Sequence, residues 1–153
     1  MNIKDIVAIP LNMRFKPDLE QSVLRSGLRV GKGRVTLYRV ELANGAVGYG
    51  EKLNGPDDVA KFIGTNAVAG FAQIRHAGVQ MALYDAVGKA LGVPAHELMG
   101  PQVRDKVPFA YWSCELSPEN WAEQAQKAAA LGYLVYKFKC RPWWDPLEQV
   151  KAL

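Results

Sequence analysis

Two cysteines and two histidines among 153 residues leave little with which to build a metal site or a disulfide frame. Cys114 and Cys140 stand at neither metal-ligand nor redox-motif spacing, so both are expected to be free thiols. They end neighbouring predicted strands, which leaves a disulfide open as a minor alternative. His76 and His96 lie on helical segments without partners at ligand spacing and read as structural residues. No apolar run approaches the length of a membrane span, and the opening "MNIKDIVAIPLNMRF" is too short and too interrupted for a signal peptide. The expected location is the cytoplasm, with no membrane partner. Gly31-Lys32-Gly33 has no Walker pattern or dinucleotide fingerprint around it and reads as a turn. No internal repeat or low-complexity segment stands out.

What is present belongs to a globular chain: 49% of residues are apolar and 22% charged. The net charge of +4 is uneven, because residues 1–50 hold eight Lys/Arg against four Asp/Glu and the remainder balances. That excess, around Arg14, Lys16, Arg25, Arg29, Lys32, Arg34 and Arg39, comes without a helix-turn-helix or an aromatic RNA-binding signature. An anionic small molecule suits it better than nucleic acid.

The chain changes period twice. "KDIVAIPLNMRF" reads as a strand ending near Pro10 or shortly after, followed by a long polar loop from Lys16 to Gly33. In "RVTLYRVEL", Thr36, Tyr38, Val40 and Leu42 face one way and Val35, Leu37, Arg39 and Glu41 the other. Asn44-Gly45 is a strong hairpin signal. Strand, loop and hairpin make a small antiparallel sheet. "DDVAKFIG" predicts a short helix capped near Pro56–Asp57. From about Ile74 to Leu91 the apolar residues recur at helical spacing, with Gly92 as the stop and Pro94 opening a short helix. Ala82, Ala86 and Ala90 would let a neighbouring helix approach closely. After Gly100, "KVPFAYWS" predicts a strand, "SPENWAEQAQKAAALG" a helix capped by Ser117 and stopped at Gly132, and "YLVYKFKC" a second strand; "DPLEQVKAL" starts a helix. Strand, helix, strand implies parallel strands joined by a right-handed crossover.

Alternation in "YLVYKFKC" puts Leu134, Tyr136, Phe138 and Cys140 on one face and Val135, Lys137 and Lys139 on the other. In a barrel of parallel strands the aromatic face would pack on outer helices, and the lysines would point inward near the end where such barrels build active sites. Two ammonium groups roughly 7 Å apart disfavour each other's charged form, so one of them could serve as a base. From the pattern alone the plainer reading is a half-exposed strand with solvated lysines. Trp143 and Trp144 follow this strand, where packing is a plainer account than a pocket wall.

"GVQMALYDAVGKALGVPAHELMG" followed by "VRDKVPFAYWS" resembles the end of the capping domain and the first barrel strand of the mandelate racemase/muconate lactonizing enzyme group of the enolase superfamily. "GAVGYGE" at 45–51 resembles its early hairpin, and "YKFK" its Lys-x-Lys motif on the second barrel strand. The resemblance implies an α+β capping domain over residues 1–104. It implies the first βα unit and second strand of a TIM-type (β/α) barrel over 105–153, with the barrel incomplete. It also implies a parent enzyme, a racemase, epimerase, dehydratase or cycloisomerase, in which a base removes the proton α to a carboxylate, on a sugar acid, and Mg²⁺ stabilises the enediolate.

Carried over, Lys139 is the candidate base and Lys137 its neighbour, which lowers its pKa or contacts the carboxylate. Ser113 matches a substrate-contact position. Arg14 and Lys16, with Glu51 to Asn54, match the capping regions that close over the site, although a lone loop charge is more simply a solvated one. "LMGP" departs from the more usual Gly-Gly ending. The family's metal-ligand carboxylates lie on later strands; Asp105 and Glu115 do not occupy those positions. This chain alone is therefore expected to bind no Mg²⁺ and to be inactive: a fragment, a truncated reading frame, or one part completed by another chain or by self-association into a homo-oligomer. A non-catalytic interaction module that keeps the capping fold and self-assembles is the alternative; nucleic-acid binding through residues 1–50 is a weaker one.

Overall fold

The computed structural model describes residues 1–13, 34–114, 116–140 and 144–153. The chain divides into two compact units between Val103 and Arg104.

The first unit is built on three antiparallel strands in the order β1 (Ile3–Asn12), β2 (Arg34–Leu42) and β3 (Val47–Leu53). The alternation expected for β2 holds: Thr36, Tyr38, Val40 and Leu42 are all buried. The hairpin forms at Asn44-Gly45 within a three-residue loop. Gly45 takes φ +87° and donates to the Leu42 carbonyl at 2.9 Å, while Leu42 N–H donates to Ala46 at 2.9 Å. A left-handed glycine closing a three-residue loop is a standard hairpin solution.

Two helices follow; the periodicity from about Ile74 to Leu91 announces the second but not the first. α1 (Ala67–Gln73) is capped by Asn66, whose side chain accepts from Val68 and Ala69 N–H. Ile74 then leaves helical geometry, and α2 (Ala77–Leu91) restarts on His76, whose Nδ1 accepts Val79 N–H at 3.2 Å. The predicted helix near Asp57 is only a 3₁₀ turn, Ala60–Phe62. α2 ends as expected at Gly92, φ +71°, and a second 3₁₀ turn covers Ala95–Met99. Val79, Ala82, Leu83, Ala86 and Val87 of α2 join Ile3, Tyr38, Val40 and Leu42 in one core.

The small residues of α2 serve a different neighbour from the expected helix. A Cβ on Gly48 would lie 2.1 Å from the Ala82 carbonyl oxygen and 2.3 Å from Ala86 N; one on Gly50 would lie 2.1 Å from the Gly78 carbonyl oxygen. It is strand β3 that approaches the helix backbone, glycine against alanine.

The second unit holds β4 (Tyr111–Trp112), α3 (Pro118–Ala130), β5 (Tyr136–Lys137) and α4 (Pro146–Lys151). β4 and β5 are parallel, as a strand–helix–strand order requires. Each is far shorter than its apolar run; at the edges of the pairing Tyr111 N–H donates to the Val135 carbonyl at 2.8 Å and Ser113 N–H to the Lys137 carbonyl at 2.9 Å. Ser117 caps α3 and accepts Asn120 N–H; beyond its end Gly132 takes φ +82°. The core here is small: Cys114, Leu116 and Trp121, with Phe138 packed on it. Trp121 Nε1 donates to the Cys114 carbonyl at 2.9 Å, and the buried Gln149 of α4 donates to the Leu116 carbonyl at 3.1 Å. Cys114 is buried and Cys140 exposed, and no disulfide joins them, so the disulfide alternative falls.

Candidate functional site

The parallel pair β4–β5 has two unlike faces. On one, Tyr111 and Tyr136 stack with ring centroids 6.0 Å apart and reach α3: Tyr111 Oη donates to Gln124 Oε1 at 2.7 Å, and Phe138 lies 4.4 Å from the Trp121 ring. On the other face Lys137 is exposed, and the burial alternation carries on through half-buried Phe138 to exposed Lys139. The aromatic side chains therefore pack on the helix while both lysines emerge opposite, the arrangement that period-2 alternation dictates. Lys139 lies beyond the last paired residue of β5. Leu134 and Cys140, assigned to the aromatic face, are exposed.

Ser113 is not brought to the lysines. It is buried and interacts with the Tyr136 hydroxyl, on the helix side. Burial pushes the Tyr136 hydroxyl up, and the hydrogen bond with Ser113 pulls the other way. Counting in twos from Tyr111 predicts this face.

Glu51 and Asn54 belong to the first unit. Glu51 is exposed on β3 opposite Leu37, and Asn54 follows the strand in a left-handed turn, φ +67°, with its carbonyl accepting from Thr36 Oγ1 at 2.7 Å. Arg14 and Lys16 lie outside the described residues, as do Glu115 and Trp143. Trp144 is half-buried.

One cluster escaped the sequence. Asp57, three residues past Asn54, accepts from Lys52 Nζ at 2.5 Å, from His76 Nε2 at 2.9 Å and from Tyr38 Oη at 3.3 Å. Its own N–H returns to Tyr38 Oη at 3.2 Å. Because His76 Nδ1 accepts Val79 N–H, the ring proton sits on Nε2 and points at the carboxylate. Lys52 first, then His76, hold the Asp57 carboxyl down at about 2. This hub pins residues 54–57 to β2 and to the start of α2. Its members, 38, 52, 57 and 76, follow no spacing rule, so nothing short of the fold reveals it.

Among the described residues no group of three or more His, Cys, Asp or Glu side chains is set to hold a metal ion. The exposed face carries cations, Lys137 and Lys139, which do not fit Mg²⁺. Among the described residues no helix is long and apolar enough to cross a membrane.

Solved structures of a racemase, an epimerase and a muconate lactonizing enzyme share this fold, a three-stranded antiparallel unit with helices followed in the chain by a parallel βαβ unit. An N-succinyl Arg/Lys racemase from Bacillus cereus ATCC 14579 superposes with a TM-score of 0.74 over 99% of this chain and 48% of its own, at 19% identity. A dipeptide epimerase from Methylococcus capsulatus, complexed with Mg ion, gives 0.70 over 99% and 47%, at 18%. A muconate lactonizing enzyme from Mycobacterium smegmatis gives 0.70 over 99% and 47%, at 21%. At such identities the likeness shows the fold. No family model matches the chain. In sequence it is similar to the D-galactonate dehydratase of Xanthomonas oryzae pv. oryzae (strain PXO99A), 42% identical over 77 residues, which are 50% of this chain and 20% of that enzyme. The chain thus spans about half the length of the structures it matches and aligns with a fifth of that dehydratase.

Proposed function

We propose that this chain contributes the capping unit and the first two barrel strands of an enzyme that removes the proton α to the carboxylate of a sugar acid. The observation that carries the proposal is the split of β5: Tyr136 and Phe138 are held against α3, and Lys137 and Lys139 stand free on the opposite face. Lys139 Nζ, in its neutral form, takes the α-proton and becomes an ammonium; the electron pair left on carbon spreads into the carboxylate. Lys137, one layer back, attracts the substrate anion. Glu51 and Asn54, with Arg14 and Lys16, are further proposed substrate-binding residues. Ser113 supports Tyr136 instead of touching substrate. The similarity to D-galactonate dehydratases favours a sugar acid and a dehydration. The cations on this face fit no divalent ion, so the described residues alone are expected not to turn over.

The coding sequence past codon 153 tests this first: strands ending in Asp or Glu support it. In a protein that carries such strands, Lys139→Met should abolish exchange of the substrate α-proton in D₂O; retained exchange would show that Lys139 is not the base. A stop codon there with no partner frame nearby favours a second reading, a self-assembling interaction module. An open apolar cavity of about 520 Å³, lined by Phe109, Leu131, Leu134 and Val135 among others, is the observation on its side.

A further inference from the structure

The lysine face carries one more large side chain that the proposed chemistry leaves unused. Trp112 stands opposite Lys137 in the parallel register. The rungs on either side, Tyr111 N–H to Val135 and Ser113 N–H to Lys137, fix that pairing at 2.8 and 2.9 Å. Paired residues on neighbouring strands project from the same face with their backbones about 4.8 Å apart. The opposite face is occupied by Tyr111, Tyr136 and Phe138 against α3, and Trp112 takes no part in it. It is 51% exposed, whereas Trp121 is fully buried. Its companions on the open face are Ala110, too small to cover it, and the exposed Val135.

A flat apolar ring beside an ammonium group recognises a ligand that has both an apolar flank and an anionic end. Binding sites commonly combine an aromatic wall with a few charged groups that fix orientation. Indole also offers an N–H donor at its rim. A polyhydroxylated carboxylate has the matching parts: a C–H flank along the carbon chain, hydroxyls at the edge, and a carboxylate at one end.

We propose that Trp112 is a ligand-contacting, specificity-determining residue that receives the C–H flank of a sugar acid while Lys137 takes its carboxylate. The proposal rests on the sugar-acid reading above, and its test separates the two. The full chain is labelled with 5-fluorotryptophan, the Trp112 fluorine resonance is assigned by its loss in Trp112→Phe, and the Lys137 ε-methylene is assigned by its loss in Lys137→Met. D-galactonate is titrated in, with acetate as a carboxylate that lacks the carbon chain. D-galactonate should shift Trp112 and Lys137 together with one apparent Kd, and acetate should shift Lys137 alone. Trp112→Ala should weaken D-galactonate by about three- to tenfold, the scale of one aromatic contact, and leave acetate unchanged. Trp112→Phe should recover part of the loss. A shift at Lys137 with D-galactonate and none at Trp112 overturns the Trp112 assignment and keeps the sugar-acid reading. Equal shifts of Trp112 by acetate and D-galactonate overturn its role in selection. No shift at either residue overturns both.

Discussion

The two units bury apolar surface by opposite means. In the first, three strands, two of them linked by a tight turn, pair over seven to nine residues, and α2 lies directly on the glycines of β3, so twelve hydrophobic residues share one core. In the second, a pair of two-residue strands is joined through a thirteen-residue helix, and three buried residues, one of them a tryptophan, form the centre. An antiparallel hairpin satisfies itself locally and needs cover on one face only. A parallel pair must pay for its crossover before it pairs, and its strands normally sit in sheets covered on both faces. The unit that closes on itself is a platform; the unit left with an open face is where the candidate chemistry lies.

Removing the centre of the second unit should have the largest effect. Trp121 packs on Phe138 and bonds to the Cys114 carbonyl, so Trp121→Ala is expected to cost about 3–5 kcal/mol, more than so small a core can absorb. Loss of the β4–β5 amide protections in hydrogen exchange, with those of β1–β3 retained, would bear out the contrast; simultaneous loss of both sets would break it. Next comes Gly48→Ala, whose new methyl would meet backbone atoms of α2 at 2.1 and 2.3 Å. Neither atom belongs to a side chain that can swing aside, so about 3 kcal/mol or more is expected, read as a lower urea midpoint by far-UV circular dichroism. All four tryptophans lie between residues 112 and 144, so fluorescence follows the second unit separately in the same titration.

Asp57 sharpens the comparison through pH. Its carboxyl sits at about 2 in the folded protein, below an unfolded value near 4. A depressed carboxyl contributes stability above its unfolded value and loses it as pH falls through the folded one. The difference in Tm between wild type and Asp57→Asn should therefore be full at neutral pH and shrink from about pH 4 down towards pH 2. A difference independent of pH would mean that the hub acts by shape and not by charge. Amides 53–58 should lose protection first, since the hub holds that segment.

Much of the platform was legible because its signals are local. The two-residue period of β2, Asn44-Gly45 and the stop at Gly92 each act within a few residues of themselves, and each appears where expected. The alternation that separates Phe138 from Lys139 was legible for the same reason. What failed depends on partners distant in sequence. His76 stands at the start of the helix because its ring nitrogen caps α2 while its other nitrogen meets Asp57, a choice that no propensity announces. Ala82 and Ala86 promise a close neighbour without naming it; Gly48 and Gly50 carried the answer, since glycine inside a strand often marks backbone approach. β4 and β5 were overestimated because an apolar run states what a residue prefers, while a strand exists only where another backbone supplies hydrogen bonds.

The smallest effects should separate ion pairs that look alike. Lys89 meets Asp85 one turn earlier at 2.7 Å and donates to the Val47 carbonyl at 3.2 Å, while Asp85 accepts Tyr49 N–H at 2.9 Å, so this pair ties α2 to β3. Lys151 meets Glu148 at 2.9 Å within α4, with both side chains more than half exposed. Exposed pairs on one helix are worth about 0.3–0.5 kcal/mol, little of which survives salt. Lys151→Ala should therefore fall within about 0.5 kcal/mol of wild type and become indistinguishable from it at high ionic strength. Lys89→Ala should cost up to about 1 kcal/mol and keep part of that cost in salt, because a backbone carbonyl loses its donor along with the carboxylate. Equal, fully screened losses at both sites would mean that the Lys89–Asp85 pair decorates the platform without holding it together.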